Sequence, residues 1–323
     1  MKYKVVKIDN RYEDVVLEKE QLKVINVVLE EYNIHDEEKI IDICKDVDGI
    51  IVDLAPMSKR VIENLENCKV ISKVGIGTDN IDLRAATEKN IFVCNTPGYC
   101  FEEVSNHAVA LIFSLHRKIC FLNSRVRNDK WNIEEAKPIY PMNELVLGLI
   151  GFGSIARLLA KKMGVFGVKI LAFDPFVDKK ILAQENVESV ELGLLLGQSD
   201  IISIHCPSNK STYKMIGIKE FGRMKNSAIL INTSRGNIID SKALYNALNN
   251  KEISGAAVDV FDPEPIDFND PILKIENFII TPHFSFYSER SIEKVRKISA
   301  ANIAQVLSGN DPINVVNREM LNK

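Results

Sequence analysis

The chain has 323 residues, 46% of them hydrophobic and 26% charged, with a formal net charge of −3. That describes an ordinary soluble protein with enough chain for two domains. Acids and bases are interspersed without blocks of either sign, which leaves no electrostatic case for nucleic acid as a partner.

No apolar run approaches the length of a membrane span, and the N-terminus opens on a strand-like run in place of a signal sequence. A cytoplasmic location is expected. The six cysteines, at 44, 68, 94, 100, 120 and 206, have no C-x-x-C spacing. They read as reduced thiols, most of them small core residues, with neither disulfides nor a metal site. Cys100, in the loop-like Pro97-Gly98-Tyr99-Cys100, is the one weighed as an exposed thiol.

In chain order, apolar runs at 3–8, 49–52, 70–74 and 91–94 read as short strands, and helical spacing recurs over 22–32, 37–45, 58–65 and 83–88. This alternation predicts a parallel sheet covered by helices on both faces. Ser58 is a candidate N-cap. A longer helical pattern over 101–120, with Val104, Ala108, Leu111, Ile112 and Leu115 on one side, marks the crossing into a second domain. Its His107 and His116 are assigned to packing or solvent contact. Residues 121–143, around Trp131, Pro138, Tyr140 and Pro141, show no period and are expected to pack on a neighbouring domain or subunit.

The segment 145–174 organises the rest. An apolar strand runs into Gly151-Phe152-Gly153-Ser154-Ile155-Ala156, then Ile155, Leu158, Leu159 and Met163 recur at helical spacing. A glycine turn between a strand and a helix has a mechanism. Gly151 permits the tight turn, and Gly153 lets a pyrophosphate approach backbone N–H groups at the helix N-terminus. Asp174 closes the second strand roughly 20 residues further on, where a carboxylate accepts from an adenosine ribose and repels a 2′-phosphate. The reading is NAD over NADP, with Lys179 and Lys180 the nearby cations that could offset that repulsion.

Further strands are expected at 200–205, 228–232, 255–260 and 278–281, with helices at 191–196, 219–224, 241–249 and 288–307. Each strand is followed by chemistry: His205-Cys206-Pro207, Asn232-Thr-Ser-Arg-Gly236, Asp259 to Glu264, and Pro282-His283. In open α/β sheets ligands bind outside the carboxyl ends of the strands, so these loops should line one crevice. Hydride transfer at a C–OH/C=O carbon needs a proton donor or acceptor for the oxygen, and His283 suits that task near neutral pH. Glu264 would favour its imidazolium form, and Arg235 would hold a substrate carboxylate by a planar charge-assisted contact.

Four segments carry a resemblance. Residues 151–174, Ile231-Asn-Thr-Ser-Arg-Gly-Asn-Ile-Ile-Asp240, Ala256-Ala-Val-Asp-Val-Phe-Asp-Pro-Glu-Pro265 and Thr281-Pro-His283 resemble the signatures of the D-isomer-specific 2-hydroxyacid dehydrogenases. Within that family, Asn95-Thr-Pro-Gly-Tyr-Cys-Phe-Glu-Glu103 and His283-Phe-Ser-Phe-Tyr-Ser-Glu289 look most like the C-terminal-binding-protein-like and phosphoglycerate-dehydrogenase-type branch. The resemblance implies two Rossmann-like domains: an NAD-binding domain at 101–286, inserted into a flavodoxin-like substrate domain at 1–100 and 287–323. It implies Arg235, Glu264 and His283 as the catalytic set, and substrate contacts at Lys73, Gly75, Ile76, Gly77 and Phe286. Cofactor contacts would fall on Gly151, Gly153, Ser154, Ile155, Asp174, Cys206, Pro207, Thr212, Thr233, Ser234, Arg235, Asp259, His283 and Ser285; packing is an equal alternative for Cys206 and Thr212.

The sequence departs from the family pattern at Ala156, the third fingerprint position, at Lys73, where relatives often carry arginine, and at Phe284 and Phe286, where many are smaller. Phe286 reads as an apolar substrate wall, and Phe284 as either wall or core. The expected activity is interconversion of a small 2-oxo acid and its D-2-hydroxy acid with NAD(H), in a homodimer. The alternative is an NAD(H)-responsive, corepressor-like binding module with little turnover. A formate dehydrogenase is disfavoured, because those relatives use glutamine where Glu264 stands.

Overall fold

The computed structural model describes residues 2–10 and 12–318. The chain divides into two compact units, Met1–Cys100 with Ser288–Lys323, and Phe101–Tyr287.

The first unit is built on five parallel strands: β1 (Tyr3–Lys7), β2 (Val27–Glu31), β3 (Gly49–Val52), β4 (Val70–Lys73) and β5 (Phe92–Cys94). Their order is β2-β1-β3-β4-β5, the flavodoxin-like arrangement. Val6, Ile50, Ile71 and Val93 fill one face with Ile62 and Leu65 from the helical side. Ser58 caps the helix Lys59–Glu63, its hydroxyl accepting from the Val61 N–H.

One expectation fails here. Residues 22–32, read as helical, are a turn followed by β2, and the helix lies earlier, at Val16–Leu22. Short apolar runs fit both periods. The pairing of Val27-Val28-Leu29 along β1 decides for a strand, a long-range contact that local spacing cannot show. The Val16–Leu22 helix is pinned by charge: buried Glu18 accepts from Lys7 Nζ at 2.5 Å and from Arg296 Nη2 at 2.7 Å. Arg296 lies on the last helix, Glu289–Leu307, so the same network draws the C-terminal segment into this unit.

The second unit has seven parallel strands: β6 (Val146–Ile150), β7 (Lys169–Phe173), β8 (Glu188–Ser189), β9 (Ile201–Ile204), β10 (Ile229–Asn232), β11 (Gly255–Val258) and β12 (Phe278–Ile280). Their order is β12-β11-β10-β9-β6-β7-β8. Both faces are covered, so alternate residues serve different cores: Leu147, Leu149, Ile229 and Ile231 on one side, Ile150 and Leu230 on the other. The chain proceeds from β6 to β7 and β8 in one direction and returns to β9 on the far side of β6. The boundary between β6 and β9 is therefore the point where strand order reverses, which is where such sheets bind ligands.

The long helix over 101–120 is shorter than expected, Phe101–His116. Lys118 takes a left-handed conformation (φ +53°), and a second helix, Ile119–Arg127, starts beyond it and runs into the region that showed no period. No residue of that second helix is fully buried in this chain. Among the described residues, no helix is long and apolar enough to cross a membrane. Cys44, Cys68, Cys94 and Cys100 are buried, Cys206 is half-buried and Cys120 is exposed, so Cys100 is not the exposed thiol.

Candidate active site

The glycine turn follows β6 directly. Gly151 has φ +90°, and a Cβ there would lie 2.8 Å from the Cys206 backbone nitrogen and 2.8 Å from the His205 carbonyl carbon. Only glycine fits, because the obstructing atoms are backbone at the end of β9. Gly153 is different. A Cβ on it would meet no atom within 4 Å, and it stands as the uncapped N-cap of the helix Ser154–Gly164. The space above Gly153 and the first-turn N–H groups of Ser154 and Ile155 form a cradle suited to a diphosphate.

Asp174, just past β7, is held by two backbone N–H groups. Its Oδ2 accepts from the Phe152 N–H at 2.8 Å and its Oδ1 from the Phe176 N–H at 2.9 Å. The carboxylate thus braces the glycine turn and still has lone pairs for a ribose. At the end of β10, Thr233 Oγ1 is buried without a hydrogen-bond partner among the described residues, a site for a ligand hydroxyl or amide. Cradle, acid and orphaned hydroxyl together suit NAD.

Other expected cofactor residues are occupied in the fold. Ser234 Oγ donates to the Ile204 carbonyl at 2.8 Å, tying β10 to β9. Thr212 Oγ1 donates to the Pro207 carbonyl at 2.7 Å and accepts from the Asn209 N–H at 2.8 Å, which closes the 207–212 loop. Burial pushes the Cys206 thiol up to about 11, with the nearby Asp174 charge adding to it, so Cys206 stays neutral against Gly151.

The three residues expected to carry the chemistry issue from adjacent strand ends. Arg235 follows β10, Glu264 follows β11 and His283 follows β12. His283 Nδ1 and Glu264 Oε2 are 2.8 Å apart. Burial works to raise the Glu264 carboxyl, but the His283 ring, the Phe261 N–H (3.0 Å to Oε1) and the Arg235 charge outweigh it and hold Glu264 below its ordinary range. The geometry leaves His283 Nε2 as the nitrogen turned away from the carboxylate. Phe286 stands beside the ring, edge-on with centroids 6.3 Å apart, whereas Phe284 is exposed and stacked on Tyr287 at 5.0 Å, so it is not core.

Two residues that sequence reasoning passed over set this arrangement. Asn232 folds the turn after β10, its Nδ2 donating to the Arg235 carbonyl at 2.9 Å and its Oδ1 accepting from the Ser234 N–H at 3.0 Å. Gly236 lets that turn lie on the Glu264 segment: a Cβ there would be 2.0 Å from the Phe261 carbonyl carbon. Asparagine and glycine bracketing Thr-Ser-Arg were a readable turn signal.

Asp259 differs from its expected role. It is 1% exposed, and its two oxygens accept from Thr281 Oγ1 (2.5 Å), the Phe284 N–H (2.8 Å) and the Ser285 N–H (2.9 Å). Asp259 is thus the anchor of the loop that carries His283. Ser285, expected at the cofactor, is buried with its N–H spent on this carboxylate.

In the first unit, Lys73 Nζ turns back onto the Asp53 carbonyl and lies 3.6 Å from Asp53 Oδ1, so the ammonium is buried in its own domain and does not project as a substrate ligand. The turn beyond it is arranged otherwise. The Gly75 carbonyl accepts from the Thr96 N–H and Oγ1, both at 2.9 Å, and the Ile76 carbonyl from Asn95 Nδ2 at 2.8 Å. The N–H groups of Gly75, Ile76 and Gly77 find no acceptor among the described residues. Carbonyls tied back and amides left over give this turn the form that suits an anion.

A doubly wound parallel sheet with its glycine turn at the switch point defines a dinucleotide-binding protein. Comparison with known proteins makes this specific. Residues 109–285 match the family described as D-isomer specific 2-hydroxyacid dehydrogenase, NAD binding domain. The chain is 36% identical over 286 residues to a glyoxylate reductase of Korarchaeum cryptofilum, covering 87% of this chain and 86% of that one. It is 33% identical over 300 residues to a hydroxypyruvate reductase of Blautia hydrogenotrophica, covering 90% and 92%. A crystal structure of D-lactate dehydrogenase from Aquifex aeolicus complexed with NAD and lactic acid superposes with TM-score 0.87 at 28% identity, covering 98% and 97%. The chain belongs to the D-isomer specific 2-hydroxyacid dehydrogenase family and is an NAD-dependent oxidoreductase.

Proposed function

We propose that the protein reduces a small 2-oxo acid, with glyoxylate and hydroxypyruvate the first candidates, to the D-2-hydroxy acid, and that Arg235, Glu264 and His283 carry the chemistry. The observation that carries this is the 2.8 Å His283–Glu264 pair, set beside Arg235 on consecutive strand ends. NAD(H), when bound, supplies or accepts the hydride at the carbonyl carbon. Gly151, Gly153, Ser154 and Ile155 would hold its diphosphate, Asp174 its ribose and Thr233 a further polar group.

His283 Nε2 gives its proton to the carbonyl oxygen in reduction and takes it back in oxidation. Glu264 holds Nδ1–H, keeping the ring in one orientation and stabilising its charged form. Arg235 binds the substrate carboxylate and orients the carbonyl for attack. The leftover N–H groups of residues 75–77 support a role for that turn in capturing a carboxylate, and Phe286 beside His283 supports an apolar substrate wall.

A homodimer and a cytoplasmic location belong to the same proposal. Trp131 is 90% exposed, and Ile119, Val126, Ile133 and Tyr140 are exposed with it, an apolar surface suited to a second copy of the chain; light scattering tests it. The function is tested by steady-state NADH oxidation against glyoxylate, hydroxypyruvate, pyruvate and branched 2-oxo acids. Turnover lost in Arg235→Ala, with NADH binding intact, is the expected result. No NADH oxidation with any member of the panel would overturn the enzymatic reading in favour of an NAD(H)-responsive binding module.

A further inference from the structure

His107 lies on the helix Phe101–His116, remote in sequence from the strand-end loops, yet its Nε2 is 3.0 Å from Thr281 Oγ1 and 3.6 Å from Asp259 Oδ1. The protons of this cluster can be counted. Asp259 is a buried carboxylate and can only accept. Thr281 has one hydroxyl proton, and the 2.5 Å contact places it on Asp259 Oδ1. The Thr281 oxygen therefore faces His107 with lone pairs, and the bond between them exists only if His107 Nε2 carries the proton. In the other neutral tautomer two lone pairs would oppose each other, and the hydroxyl would be pushed off the carboxylate.

What hangs on Asp259 is the loop that presents His283. Its side-chain oxygens fix the N–H groups of Phe284 and Ser285, and its own carbonyl accepts the His283 N–H at 2.8 Å. His283 itself sits at φ +52°, a left-handed conformation that a non-glycine residue keeps only when its surroundings hold it there. The carboxylate does that holding, and at 1% exposure it depends on its donors being aligned.

We propose that His107, as the Nε2–H tautomer, is a positioning residue for proton transfer: through Thr281 and Asp259 it orders the 283–285 loop and so seats His283 on Glu264. The proposal rests on the reading of His283 as the acid/base. His107 touches neither substrate nor the reacting atoms.

The test has two arms on the full-length protein. In the first, ¹⁵N-histidine NMR of the protein without cofactor, with its five histidines assigned by substitution, reads the tautomer directly. His107 protonated at Nε2 is expected; an Nδ1–H tautomer overturns the proposal, whatever the activity. In the second, NADH oxidation with glyoxylate or hydroxypyruvate is compared across His107→Gln, His107→Phe, Thr281→Ser and Thr281→Val. Glutamine and serine keep the polar groups and should hold kcat within about twofold. Phenylalanine and valine remove them and should lower kcat on the order of tenfold with the KM for the 2-oxo acid unchanged.

Equal losses in His107→Gln and His107→Phe, or none in either, would mean that shape alone matters and would sink the proposal. If His107→Phe does not fold, the Thr281 pair decides by the same criterion. His283→Ala separates the two readings. Full turnover in that variant refutes the acid/base assignment, while loss of turnover there with an indifferent His107→Phe refutes only the positioning role.

Discussion

Replacing Gly236 by alanine should cripple turnover while leaving the diphosphate cradle at the glycine turn intact. The added methyl carbon would sit 2.0 Å from the Phe261 carbonyl carbon, 2.1 Å from its oxygen and 2.6 Å from the Asp262 nitrogen. Ordinary contact begins at 3.4 Å, so one backbone must retreat from the other by about 1.4 Å. The obstructing atoms are main chain, so no rotamer change relieves the clash. The two segments driven apart are those that carry Arg235 and Glu264.

A displacement of about 1 Å at a catalytic group costs about 100-fold, so kcat should fall by roughly that factor, with an overpacking cost of about 1–3 kcal/mol in stability. The glycine turn lies on the other side of β9, hence NADH binding measured by fluorescence should persist. The assay is steady-state NADH oxidation alongside a thermal melt. A Gly236→Ala protein that folds and turns over at the wild-type rate would show that the spacing between these segments is not what aligns the site.

Three further outcomes follow from the same geometry. Asp174→Ala should weaken NADH binding and narrow its advantage over NADPH, because the substitution removes both the ribose acceptor and the brace on the Phe152 N–H; equilibrium titration with the two cofactors checks it, and an undiminished preference for NADH would refute the assignment. Burial lowers the His205 ring to about 4 from an ordinary 6.5, so the unfolded chain binds the extra proton first, and stability should fall as pH drops from 6.5 toward 4 by about 1.4 kcal/mol per pH unit at most. His205→Gln should flatten that slope in urea midpoints. The Glu264 carboxyl is held below its ordinary 4.5, so its contribution is present above that pH and is lost as pH falls through the lower folded value. Urea midpoints of wild type and Glu264→Gln should therefore converge in strong acid, and a constant difference down to pH 2 would contradict the pairing.

Much of the fold was legible because parallel strands buried on both faces leave long apolar runs, and because glycine turns and strand-end polar clusters are local in sequence. Residues 145–174 announced strand, turn, helix and acid in order, and Arg235, Glu264 and His283 each followed a readable strand. The strand at Val27–Glu31 was not legible, since its apolar spacing fits a helix until β1 pairs with it. Nor was the break at Lys118 that starts a separate helix, Ile119–Arg127, in which no residue is fully buried.

Among the site residues, sequence determined the chemical type and the tertiary structure determined the partner. Lys73 reads only as a basic side chain, and it is the fold that turns it onto Asp53. Asp259 reads as a cofactor contact until Thr281, Phe284 and Ser285 are found to consume its oxygens. His107 looks like a packing residue on an apolar helix until that helix is laid across β10 and β11. The physical reason is the same in each case. Periodicity and residue type report what a segment can bury or ionise, whereas a hydrogen bond between residues 107 and 281 exists only once the fold brings together side chains 174 positions apart.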